Sequence, residues 1–273
     1  MRKFIIAART IYDKTGKDNI TGYAAQSCFY IALSILPFLV VLLSLIQFLP
    51  LSETDFIEMA GSVIPNTLSS FFNSIIYDIY NNSTITITSI TAIATIWSAG
   101  KGFTSIIRAL NTIYEAPNSK NWLKLRLKST FYTIIFMLVL IATFILLVFG
   151  KGLINLLNPI FPMAAVILEA ILSNKLILFP CILTLIFLLL YTFIPSRKSS
   201  FARELPGALL AAFGWYIFSY VYSLYISYST SYSSMYGSLT SLILALIWLY
   251  FCMIIIFFGA EINFYIKKYL FKK

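Results

Sequence analysis

The chain contains no histidine. With it go the commonest general base, the commonest zinc ligand and every Ser-His or Cys-His arrangement for nucleophilic catalysis. Acidic residues are scarce, ten against twenty Lys and Arg, and they form no pair inside an apolar stretch. Phosphate-cradling glycine motifs and zincin helices are missing too. The three cysteines, Cys28, Cys181 and Cys252, fall far apart within apolar stretches and read as small packing residues rather than a disulfide framework or metal site. An enzyme built on this chain would have to run on isolated Tyr, Lys or a lone carboxylate. The expectation is a protein that is not an enzyme and has no cofactor and no metal.

What is abundant is apolar. The chain is 60% hydrophobic and 11% charged, whereas a soluble domain carries about a quarter charged residues. Six apolar stretches run over roughly 24–50, 84–100, 129–150, 176–195, 205–228 and 237–266. A helix needs about 20 apolar residues to cross a bilayer core, and all but the second meet that comfortably. Eighteen of the twenty basic residues lie in alternate connecting segments, leaving only Lys151 and Lys175 on the other side. Basic residues stay on the cytoplasmic side, so the pattern predicts six spans with both termini inside. The net charge of +10 is then this topology signal plus attraction to anionic headgroups, not a nucleic-acid surface. The first apolar run is too long for a signal-peptide core and reads as a span that stays. The fold expected is all-α: a single integral membrane domain over residues 1–273, with interfacial helices at about 2–15, 54–80, 101–114 and 159–172.

Within this frame the polar residues stand out. Gln26, Tyr30, Ser34, Pro37, Val41 and Ser44 step by three or four along the first span and share a face. That face is either a helix-packing seam or the wall of a polar pathway. Pro37 should kink or loosen the helix. The second span is rich in hydroxyls, Thr84 through Ser98, which suggests protein around it rather than acyl chains. Beyond Gly100, Phe103, Ile106, Ile107, Leu110, Ile113 and Tyr114 keep an apolar stripe opposite Thr104, Arg108 and Asn111, as on a helix at the cytoplasmic surface. In the fifth span Gly207, Ala211 and Gly214 form a small-residue face that lets another helix come close. The Tyr/Ser tract from Tyr216 to Tyr236 reads as an aromatic belt, with substrate binding as the other reading.

Glu261 is an acid embedded late in a strongly hydrophobic span, and such residues usually face a bundle interior. Lys101 or Arg108 is its expected partner. An ion pair of Glu261 with Arg108 would act as an inner gate, or it would be structural.

Several runs together resemble the YihY/virulence factor BrkB family. They are Ala24-Ala25 through Ser34-Ile35-Leu36-Pro37, then Trp97-Ser98 through Arg108-Ala109-Leu110-Asn111 with Tyr114. Glu204-Leu205-Pro206-Gly207-Ala208-Leu209-Leu210 and Tyr236-Gly237-Ser238-Leu239 follow, then Ile247-Trp248-Leu249-Tyr250 and Gly259-Ala260-Glu261-Ile262-Asn263. They are spread in order over nearly the whole chain. The resemblance implies a six-span helical protein of the bacterial inner membrane. Members have been labelled virulence or serum-resistance factors, and the family once carried a ribonuclease label regarded as mistaken. Pro37, Arg108, Asn111, Gly207, Tyr236, Gly237, Gly259, Glu261 and Asn263 match the family pattern, without any substrate contact being implied for them.

The expectation for function is a transporter of an envelope lipid or other small amphipathic solute. Its candidate pathway or gate residues are Gln26, Tyr30, Ser34, Pro37, Ser44, Arg108, Asn111, Glu261 and Asn263. The alternative is a non-transporting membrane scaffold or envelope-assembly factor. Expected partners are membrane lipids, with a second copy of the chain or envelope-assembly proteins also open, and no nucleic acid.

Overall fold

Among the described residues Asn19 and Glu115 take a left-handed backbone conformation, and each marks a turn that shapes the fold. Asn19, with φ 50°, separates a short helical turn over residues 13–17 from the first long helix. Asn tolerates this left-handed conformation better than most residues. Glu115, with φ 52°, ends the second helix. There the amide of Ala116 bonds the carbonyl of Asn111 at 2.8 Å and that of Glu115 bonds Thr112 at 3.1 Å, the Schellman pattern that usually employs glycine. The Glu115 carboxylate accepts from Lys268 Nζ at 2.9 Å.

The computed structural model describes residues 13–44, 85–118, 121–159, 162–163, 175–228 and 238–270. Among them the structure is all-helical, without strands. The long helices are α1 (Ile20–Ser44), α2 (Ile85–Ile113), α3 (Trp122–Leu157), α4 (Lys175–Phe193), α5 (Phe201–Tyr228) and α6 (Ser238–Tyr265), the last running into a π-helical turn at Ile266–Leu270. α1 is assigned without interruption across Pro37. Asn121 caps α3, its Oδ1 accepting from the amides of Leu123 at 2.9 Å and Lys124 at 3.3 Å. α5 begins at Phe201, about a turn before the stretch read from sequence, because Glu204 and its partners carry the helix past its apolar part. The interfacial helices expected at 2–15, 54–80 and 159–172 lie largely outside the described residues.

Contacts divide the chain into two compact units: Met1–Tyr30 with Lys101–Ser129 and Leu176–Lys273, and Ile31–Gly100 with Thr130–Lys175. In the first, α5 and α6 pack antiparallel. Gly207 meets Gly259, Gly214 meets Ile255, and Ser219 meets Trp248. Residues 101–114 belong to this unit's core. Ile107, Leu110 and Ile113 are fully buried, so the stripe expected to rest on the membrane surface packs on protein instead. The protein-facing partners of α2 (Tyr23, Ser196 and Glu204) have far-removed sequence positions, which the helical period alone does not reveal.

In the second unit the hydroxyls of the Thr-rich helix bond their own backbone. Thr95 donates to Thr91 O and Ser98 to Ala94 O, each at 2.8 Å. That leaves Ile90, Ile93 and Trp97 exposed, so this helix shows an apolar outer face and is not wrapped in protein as its composition suggested. Three helical segments, Ile20–Val41, Phe201–Ile226 and Leu242–Lys268, are long and apolar enough to cross a membrane. Phe213, Ile217, Val221 and Leu242 stand exposed on them, an outer surface suited to lipid rather than water.

Candidate functional site

The polar chemistry of the first unit gathers where the N-terminal turns of α5 meet the C-terminal turns of α6. Two glycines make the meeting possible. A Cβ on Gly207 would overlap the carbonyl oxygen of Gly259 and sit 2.5 Å from Asn263 Cγ. One on Gly259 would sit 2.6 Å from Tyr191 Oη and 2.8 Å from Ala211 Cβ. With backbones this close, Asn263 bridges the helices. Its Oδ1 accepts from Gly207 N at 2.7 Å and its Nδ2 donates to Glu204 O at 2.9 Å. Tyr191 of α4 is fully buried and donates to Ile256 O at 2.6 Å, tying a third helix to the same crossing.

Glu204 is 1% exposed, and its carboxylate is surrounded by donors. Arg197 Nη2 approaches Oε1 at 2.5 Å, Ser199 Oγ donates to the same oxygen, and Tyr114 Oη donates to Oε2 at 2.8 Å. The Arg197 guanidinium also lies over the Tyr114 ring, 3.6 Å from its centroid, a cation–π contact that desolvation strengthens. Burial, followed by the Glu204 charge, pushes the Tyr114 phenol well above its ordinary value, so it remains a hydrogen-bond donor. Asn111 organises the neighbouring loop: its Oδ1 accepts from Ser196 N at 2.7 Å and its Nδ2 reaches Asn118 at 3.2 Å.

Glu261, also 1% exposed, has a separate cation. Lys14 Nζ lies 3.2 Å from Glu261 Oε2, bonds Ile113 O at 2.9 Å, pairs with Asp18, and sits 4.4 Å from the Phe264 ring centroid. One ammonium thus serves two carboxylates and the carbonyl end of α2, where a helix carries partial negative charge. This corrects the expected pairing of Glu261 with Arg108 or Lys101. Arg108 is exposed, while the Lys101 ammonium lies over the Tyr30 ring at 5.3 Å. The physical reason is that Arg108 stands exposed on α2 while Ile106, Ile107, Ala109 and Leu110 around it are buried.

The other expected site residues are distributed. Gln26 is exposed and Tyr30 half-buried. Ser34 is buried, donating to Ile31 O at 2.6 Å, and Pro37 is half-buried. The Ser44 side chain lies outside the described residues. Gly214 faces Ile255, with 3.2 Å between a Cβ placed there and Cγ2. All three cysteines are free, Cys28 and Cys252 buried and Cys181 exposed. Among the described residues no three His, Cys, Asp or Glu side chains gather as metal ligands would. Sequence reasoning passed over Glu204, Arg197, Tyr191 and Lys14 as site residues. For Glu204 a signal existed, an acid directly ahead of Leu-Pro-Gly at the mouth of an apolar helix.

Long apolar helices that bury carboxylates and amides at a glycine-tight crossing define a helical membrane protein. The chain belongs to the virulence factor BrkB family, whose pattern it matches over residues 11–272, the family its sequence runs resembled. It is similar to the ribonuclease-like protein YfkH of Bacillus subtilis (strain 168), with 32% identity over 245 residues, covering 90% of this chain and 89% of that protein. No solved structure matches it.

Proposed function

We propose that this protein moves an amphipathic envelope component, a lipid or small solute, across the bacterial cytoplasmic membrane through six helical spans, with both termini inside. The observation that carries the reading is Glu261. It is buried in a helix apolar enough to cross the membrane, yet its cation, Lys14, comes from a segment 247 residues away and is shared with Asp18. Ionisable groups inside spans are costly and mark pathways or moving parts. An ion pair that joins two separate segments holds them together, and so suits a contact that one conformation makes and another breaks. The polarity of basic residues along the chain supports the orientation. The reading is not enzymatic, since a chain with no histidine has few ways to deprotonate a nucleophile.

A scaffold or envelope-assembly role is the second reading, and one observation favours it. Among the described buried side-chain polar atoms only Ser27 Oγ and Arg197 Nε lack a partner, as in a network that serves to hold helices together. Transbilayer movement of labelled lipid in proteoliposomes separates the two. Rapid movement relative to empty vesicles, slowed by Glu261→Gln in protein of unchanged melting behaviour, is the expected result. Absence of movement with folded, inserted protein would leave the scaffold.

A further inference from the structure

The basic residue that Glu261 does not use has a setting of its own. Lys101, Thr104 and Arg108 stand at i, i+3 and i+7 on α2 and share a face, with Lys101 and Arg108 about 10 Å apart along the axis. Next to them on the same helix, Ile106, Ile107, Ala109 and Leu110 are buried and so is Ser105, against α1, while Arg108 is exposed and Lys101 and Thr104 are half-buried. α1 runs antiparallel beside it. Tyr23 Oη lies 3.4 Å from Thr112 Oγ1, Ser105 Oγ donates to Tyr23 O at 3.1 Å, and Lys101 Nζ stands over Tyr30. This register places exposed Gln26, one turn before Tyr30, level with residues 102–103, next to Lys101 and Thr104.

Charge makes the patch selective. The nearby carboxylates are engaged elsewhere: Asp18 and Glu261 with Lys14, Glu115 with Lys268, Glu204 with Arg197. Among the described residues Arg108 pairs with no carboxylate. A guanidinium fork and an ammonium on one helix face, with an amide, a phenol and a hydroxyl beside them, supply the donors that phosphate oxygens accept.

We propose that Lys101 and Arg108, with Gln26, Tyr30 and Thr104, bind the phosphate of an anionic lipid headgroup in the cytoplasmic leaflet. The patch follows directly on the apolar stretch 84–100, so a helix that spans there holds it at headgroup depth, where anionic lipid concentrates. The proposal rests on the membrane placement given above and names the chemistry of the lipid taken.

The test uses the full chain in phosphatidylcholine nanodiscs containing a minor share of spin-labelled phosphatidylglycerol, reading the motionally restricted lipid. Arg108→Gln and Lys101→Gln should each weaken retention about tenfold, the scale of one charge-assisted hydrogen bond. Lys124→Gln and Lys198→Gln, changes at exposed basic residues elsewhere, should leave it unaltered. Equal loss in those two variants overturns the site in favour of diffuse attraction. Equal restriction of labelled phosphatidylcholine overturns the anionic headgroup, and displacement by inorganic phosphate overturns the lipid as the source. The readout needs no transport, so unmodified protein that moves lipid yet restricts no labelled phosphatidylglycerol sinks this site alone, and restriction without movement sinks only the transport reading.

Discussion

The two ends of the α5–α6 pair are joined by opposite means. At one end Gly207, Gly259 and Ala211 bring the backbones into contact and Asn263 clamps them with amide hydrogen bonds, while Glu204 ties the first turn of α5 to Arg197 in the segment before it. At the other, aromatic side chains bridge the helices. Tyr222 donates to Leu244 O at 2.7 Å and Trp248 Nε1 to Ser219 Oγ at 3.1 Å, and a groove of about 450 Å³ opens among Ser219, Tyr222, Ser223, Leu244, Ala245 and Trp248. Small residues close a helix crossing and make it intolerant. Large ones span a gap with single contacts, each replaceable, and leave room for something else to enter.

The hardest way to break this contrast is at the closed end. Gly207→Val places a branched side chain where even a Cβ meets the Gly259 carbonyl, and no monodisperse protein should be recovered by size exclusion in detergent. Gly214→Ala, facing only the Ile255 methyl at 3.2 Å, should change stability by less than about 1 kcal/mol, because the helix preference of Ala offsets the shift of that methyl. Second only to Gly207→Val is Glu204→Ala, which strands the half-buried Arg197 guanidinium. Breaking a buried pair from one side costs about 3–5 kcal/mol, visible as a large fall in melting temperature, and Glu204→Gln should fall less because an amide keeps part of the hydrogen bonding. A small change is expected at the open end. Trp248→Phe removes one hydrogen bond to Ser219 and should cost about 1 kcal/mol. A loss there as large as that of Glu204→Ala would show that the two ends do not differ.

Part of this was legible beforehand. The apolar runs at 176–195, 205–228 and 237–266 anticipate α4, α5 and α6 to within a few residues, because a helix that must satisfy its backbone internally needs a long uninterrupted run. The four-residue spacing of Gly207 and Ala211 marks a small face. Nothing in that spacing says that the face meets Gly259, or that Asn263 bridges the gap. Glu261 stands out by its neighbours in sequence, yet the inferred depth points to Lys101 and Arg108 on α2 as its cations. Lys14 falls within the stretch 2–15 that reads as an interfacial helix, where nothing in sequence ties it to Glu261. The stripe at 101–114 was amphipathic in either reading, and periodicity alone does not distinguish lipid from protein as the apolar partner.

Hydropathy and the placement of basic residues are additive along the chain, so the sequence by itself determined the helical membrane class, the family and the approximate helices. Which carboxylate meets which cation is not additive. It follows from the azimuth of each helix about its axis, set where Gly207 and Gly259 let α5 and α6 touch. The tertiary structure therefore decided that Glu261 belongs to Lys14, that Glu204 belongs to Arg197, and that Arg108 faces outward.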